Sequence, residues 1–128
     1  MNSTQGPRDE RGAMIAAAVL GIVVWFAVAA SSLEAEAFDD ASYFTIGLPI
    51  IGIGCAFLGY RVPVRAWRYG LVAMGTHAVG LLVVAVGGGN LSLLPLGLGL
   101  LALISLPMAA AGLAGARAHR KSLPPGRE

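Results

Sequence analysis

The sequence predicts an all-α membrane protein, a four-transmembrane-helix bundle with both termini in the cytoplasm. Three observations predict it. Hydrophobic residues make up 56% of the 128-residue chain and charged residues only 12%, about half the charged share of an ordinary soluble domain. Four apolar stretches, Ala13 to Leu33, Tyr43 to Tyr60, Tyr69 to Val86 and Leu91 to Ala114, carry no Asp, Glu, Lys or Arg in their interiors. All nine basic residues fall in segments that this topology places on one side.

A chain this short has room for one domain, and a small domain leaves about a third or more of its surface exposed. So much apolar surface has to meet lipid. A helix rises about 1.5 Å per residue, so roughly 20 residues cross a hydrocarbon core about 30 Å thick. The second and third stretches just reach that length. A spanning segment must satisfy its own backbone hydrogen bonds, which makes each stretch a helix. The organisation read from this is a tail of residues 1–12, a transmembrane domain of residues 13–116 and a tail of residues 117–128.

Orientation follows from basic residues, which resist translocation. Arg8 and Arg11 precede the first helix, Arg61, Arg65 and Arg68 separate the second from the third, and Arg117, Arg120, Lys121 and Arg127 follow the fourth. Ser31 to Ser42 and Gly87 to Asn90 contain none. Eight of the nine basic residues are Arg, which with the abundant Ala and Gly suggests a GC-rich bacterial genome and hence a bacterial cytoplasmic (inner) membrane. Tyr60, Trp67 and Tyr69 fit the inner interface and Phe38, Tyr43 and Phe44 the outer one. Trp25 lies too deep for an interface and reads as a packing residue.

The connections are short. Gly87-Gly88-Gly89-Asn90 suits a tight turn with positive φ, giving a close hairpin of the third and fourth helices. The polar ends, Met1 to Gly12 and Arg120 to Glu128, read as loose, with Pro124-Pro125 barring a helix to the C-terminus. Pro49-Ile50-Ile51-Gly52-Ile53-Gly54 and Pro95-Leu96-Gly97-Leu98-Gly99 look alike, but their distances to the following Gly-x-Arg differ, so no repeat is inferred. Ala35-Glu36-Ala37 offers a signal-peptidase motif. The apolar run before it exceeds the roughly 7–15 residues of a signal-peptide core and fits a retained anchor.

His77 is the one ionisable side chain well inside the membrane apart from the lone Cys55. Intramembrane ionisable groups often mark a proton relay or a metal or haem ligand. The competing reading, which is favoured, is a neutral imidazole hydrogen-bonded to a neighbouring helix, because no carboxylate lies at membrane depth and His119 is in the tail. Glu34, Glu36, Asp39 and Asp40 match no calcium loop and read as solvated charges, with Asp39, Asp40 or Ser42 capping the second helix. Arg61, Arg65, Trp67 and Arg68 read as membrane-interface anchors, and nucleic-acid binding is not expected of so short a loop. Ala17-xxx-Gly21, Cys55-xxx-Gly59, Thr76-xxx-Gly80 and Ala111-xxx-Gly115 each place two small residues one turn apart, the pattern through which membrane helices approach closely. Pro107 should kink the fourth helix near Leu103, with Ser105 partly compensating.

Known four-helix families are set aside residue by residue. The first helix lacks the glutamate of small multidrug-resistance transporters, the chain lacks the Thr-Thr-Phe-Ser motif of fluoride channels, and it has neither cysteine pairs nor several membrane histidines. No catalytic, cofactor-binding or metal set is read from the sequence. The expected role is a non-enzymatic accessory or interaction subunit whose partners are the lipid bilayer and a homo-oligomer or larger membrane complex. The alternative expectation is a small oligomeric transporter or channel.

Overall fold

The computed structural model describes residues 6–31, 41–88 and 91–123. These residues form helices α1 (Pro7–Ser31), α2 (Leu48–Arg61), α3 (Trp67–Gly87) and α4 (Leu94–Ser122), with a π-helical turn, Tyr43–Gly47, running directly into α2. The protein is all-helical here, and four helices are long and apolar enough to cross a membrane.

The helix limits follow capping chemistry rather than the edges of the apolar runs. α1 starts at Pro7 instead of Ala13: proline tolerates the first helical position, and Asp9 and Glu10 in the first turn suit the positive end of the helix dipole. α4 continues past Ala114 to Ser122, with His119, Arg120 and Lys121 in its last turn against the negative end. It stops because Leu123 is extended (φ −78°, ψ 136°), as a residue before proline prefers. The segments expected to be loose are therefore helical at Pro7–Gly12 and at Arg120–Ser122. The start of α4 moves inward from Leu91 to Leu94, where Pro95 occupies the first turn. α2 ends at Arg61, and Val62, again preceding a proline, leaves the helix.

The π-helical turn has a local cause. Pro49 carries no N–H, and its ring would collide with the carbonyl four residues back. One widened turn precedes it, with the Leu48 N–H reaching the Tyr43 carbonyl. Ser42 makes no capping bond with its side chain, and Asp39 and Asp40, like Glu34, Glu36, Phe38 and the Ala35 to Ala37 motif, lie outside the described residues. So do Gly89, Asn90, Pro124, Pro125 and Arg127. In the α3–α4 connection Gly88 adopts a right-handed conformation (φ −85°, ψ −5°) rather than a positive φ.

In space the order is α1, α3, α4, α2, with α2 returning to touch α1, while α1 and α4 do not meet. Contacts of Glu10 with Arg68, Gly21 with Ala73 and Trp25 with Gly80 make α1 parallel to α3, and those of Gly52 with Met108, Gly59 with Gly112 and Tyr60 with Ser122 make α2 parallel to α4. Backbone contact at small residues makes these pairs close. A Cβ on Gly59 would strike the Gly112 carbonyl and one on Gly115 the Ala56 carbonyl, while between α3 and α4 one on Gly70 would strike the backbone of Met108 and Ala109. On the other side, a Cβ on Gly21 would strike the Ala73 carbonyl and the Thr76 hydroxyl, and Gly80 lies under the Trp25 indole. All four small-residue pairs read from the sequence contribute a glycine to these internal seams.

Large apolar side chains cover the outside: Phe26, Ile53, Leu96, Leu103 and Leu106 are each more than half exposed. A water-soluble monomer rarely shows contiguous apolar surface of this extent. α4 remains one helix through Pro107. The Ser105 hydroxyl donates to the Ala102 carbonyl at 2.6 Å, so it does not serve the Leu103 carbonyl that Pro107 leaves without its usual donor.

Backbone-to-backbone seams should not tolerate a methyl group. Gly112→Ala and Gly115→Ala are each expected to cost about 1–3 kcal/mol by overpacking. Gly12→Ala and Gly99→Ala, where a Cβ meets nothing within 4 Å, should not destabilise. Unfolding free energies measured in bicelles check the contrast, and equal effects at the two classes of site would refute the packing described.

Candidate functional site

His77 sits midway along the 21-residue α3 and is fully buried. Its Nε2 lies 2.9 Å from the Gly21 carbonyl oxygen of α1, and its Nδ1 lies 2.7 Å from the Tyr43 hydroxyl in the π-helical turn. A carbonyl can only accept, so Nε2 carries a proton; in the neutral ring Nδ1 then accepts from the tyrosine hydroxyl, a tautomer assigned from its partners. The ring ties together α1, α3 and the segment leading into α2. Trp25 closes the fourth side, its ring meeting the imidazole edge-on at 5.4 Å.

Each partner is positioned by a feature of its own helix. Gly21 lets α1 approach α3 closely enough for its carbonyl to reach an imidazole. The Thr76 hydroxyl is turned back onto the Ala73 carbonyl at 2.7 Å and stays out of the cluster. The widened turn ahead of Pro49 re-phases the helix so that Tyr43 points inward while Phe44 faces out. Tyr43 is therefore a fully buried partner of His77, not the outer-interface residue that its place at the end of an apolar run suggested. Trp25 is a packing residue as read, with a role beside the histidine that the sequence does not disclose.

The second polar cluster lies at the end of the molecule where the described basic residues gather. Arg61 is the last residue of α2, with its guanidinium 5.9 Å from the Phe57 ring centroid. Arg65 lies in the α2–α3 connection with φ 49°, a left-handed conformation that is uncommon for a residue bearing a Cβ. Trp67 opens α3 and is 42% exposed. Arg68 lies 5.5 Å from the Trp67 ring centroid and 3.4 Å from Glu10 of α1. That pair is partly exposed and contributes no more than about 1 kcal/mol, but it marks where the early start of α1 meets α3.

Tyr69 is a second departure from the interface reading. It is fully buried, and its hydroxyl donates to the carbonyls of Val62, at 2.9 Å, and Val64, at 3.2 Å. Ala66 of the same connection packs its carbonyl against Gly112 of α4. The connection that carries Arg65 is thus fastened from below by one phenol and one helix contact. Cys55 is a buried free thiol inside the α2–α4 seam. Among the described residues no three His, Cys, Asp or Glu side chains gather as a metal-holding group.

No protein-family model, no curated protein and no solved structure matches this chain. The chemistry of the site therefore rests on its own geometry. A proton on Tyr43 can pass to His77 Nδ1, but the Nε2 proton faces a backbone carbonyl, which has no proton to give onward. The arrangement ties α1, α3 and the segment leading into α2 to one another.

A double-mutant cycle on Tyr43→Phe and His77→Ala should return a coupling of about 0.5–1.5 kcal/mol, the range for hydrogen bonds between helices in lipid. The Tyr43→Phe cost should shrink accordingly in the His77→Ala background. Additive losses in steric-trap unfolding would show that the two side chains do not act together.

Proposed function

We propose that the chain is a multi-pass protein of the bacterial cytoplasmic membrane, with both ends inside, and that it serves as a non-enzymatic accessory or interaction subunit of a membrane complex. Residue 77 carries this reading. The one histidine at mid-span has both ring nitrogens committed, to Tyr43 and to the Gly21 carbonyl, and a group so committed holds helices rather than moving a substrate. The seams at Gly21, Gly59, Gly112 and Gly115 use the small residues for internal packing, which leaves the broad apolar exterior for lipid and for a partner's helices. Gathering of Arg8, Arg11, Arg61, Arg65, Arg68, Arg117, Arg120 and Lys121 toward one end supports the orientation, since basic residues stay on the cytoplasmic side.

Native mass spectrometry of the chain, extracted gently from its own membrane, tests the role. The expected result is a complex with a second, different polypeptide. Isolation as a bare homo-oligomer, together with an ion or proton flux in vesicles that His77→Ala abolishes without unfolding the protein, would replace this reading with a small oligomeric transporter. For orientation, single cysteines introduced near Arg11 and Arg120 should react with a membrane-impermeant maleimide only after the membrane is opened. Labelling in intact cells would invert the topology.

A further inference from the structure

α4 is one helix held in two different ways along its length. Its buried residues are Leu101, Gly112, Gly115 and Ala116, and all but the first follow Pro107. There the neighbours are backbone: Gly112 meets the Ala66 carbonyl, Gly115 the Ala56 carbonyl, and Met108 and Ala109 turn their own backbone to Gly70. Backbone cannot step aside, whereas a leucine side chain can change rotamer. Before Pro107 the contacts are of the second kind. Gly97 faces the far end of the Leu81 side chain, and a Cβ on Gly99 would meet nothing within 4 Å. Among the described residues neither α1 nor the π-helical turn approaches α4. Gly52 faces the Met108 thioether and α2 starts only one turn earlier, at Leu48, so the first turns of α4 lean on α3 alone.

The helix itself is weakest where these two parts join. Pro107 has no N–H for the Leu103 carbonyl, and its ring crowds that carbonyl. Ser105 draws on the Ala102 carbonyl at 2.6 Å, a local bond that competes with the helical ladder and favours bending. We propose that α4 hinges at residues 103–107, with residues 94–102 swinging away from α3 as an arm while residues 108–122 stay fixed. The swing parts side-chain contacts at Leu94, Gly97 and Leu101 and, among the described residues, no hydrogen bond to another helix. It opens a slot between α3 and α4 at the end away from the α2–α3 connection. His77, tied to Gly21 and Tyr43, belongs to the part that does not move. At about 1.5 Å per residue the arm is roughly 14 Å long, so a further bend of about 20° displaces its tip by about 5 Å.

Spin labels on the full-length chain in bicelles test the hinge by double electron–electron resonance, in a Cys55→Ala background. Phe26→Cys with Leu96→Cys spans α1 and the arm, and Ile15→Cys with Ala114→Cys spans α1 and the fixed part; all four native side chains are exposed. The first pair should show a second population displaced by about 5 Å, as the arm length requires, and the second pair a single distance. Pro107→Ala returns an N–H to the Leu103 carbonyl and should abolish the second population without moving the Ile15–Ala114 distance. Circular dichroism verifies that each variant keeps its helices. One narrow distance for the first pair in the Pro107 chain would overturn the proposal. So would a second population that survives Pro107→Ala, which would place the bend elsewhere, or equal broadening of both pairs, which would mean that the whole bundle moves.

Discussion

Close approach of helix backbones at glycine is the constraint on which the rest of this structure depends. On the proposed membrane reading the usual hydrophobic driving force between helices is missing, because lipid is as apolar as leucine, and association relies on van der Waals contact and interhelical hydrogen bonds. Dispersion falls off steeply with separation, so the gain comes from surfaces that touch. In this chain the touching surfaces are backbone: Gly59 on Gly112, Gly115 on Ala56, Gly70 on Met108 and Ala109, and Gly21 on Ala73. Because the seams join α2 to α4, α3 to α4 and α1 to α3, they set the spatial order α1, α3, α4, α2.

The buried histidine follows from that packing rather than causing it. Only where α1 lies against α3 without an intervening side chain can the Gly21 carbonyl come within 2.9 Å of an imidazole on α3. Tyr43 then completes the ring's hydrogen bonding from a third segment, because the π-helical turn ahead of Pro49 rotates it inward. A polar group in an apolar interior is costly when unpaired and modestly stabilising when paired. The cluster therefore works mainly as a specificity device, since alternative helix registers would strand the imidazole.

The same packing decides what the charged end looks like. α1 and α3 present helix N-termini there and α2 and α4 present C-termini, so the four dipole ends largely cancel and the side-chain cations dominate. The connection between α2 and α3 is fastened by the Tyr69 hydroxyl and by Ala66 against Gly112. The arginines flanking it are presented on a fixed platform. At the opposite end α4 is covered mainly on one side, with Leu101 buried and Leu96, Leu103 and Leu106 facing out.

Several features were determined by the sequence alone. Four charge-free apolar runs of spanning length can only be satisfied by helices, and their charged flanks announce both the number of helices and a common end for the basic residues. Small residues one turn apart marked the faces that pack, because only small side chains let two helix backbones approach closely. Helix ends were less legible from hydropathy, since Pro7, Asp9 and Glu10 begin α1 in polar sequence and a polar last turn extends α4 to Ser122. Only the tertiary structure decided which helices pair and what His77 touches. Tyr43 and Tyr69 look like interfacial aromatics in a linear reading because both lie at the ends of apolar runs. The direction of a side chain depends on helix phase, and one widened turn before Pro49 changes that phase without altering the composition of the segment. The Gly21 carbonyl is a backbone atom that every residue has, so no residue type could have signalled it as the partner of the histidine.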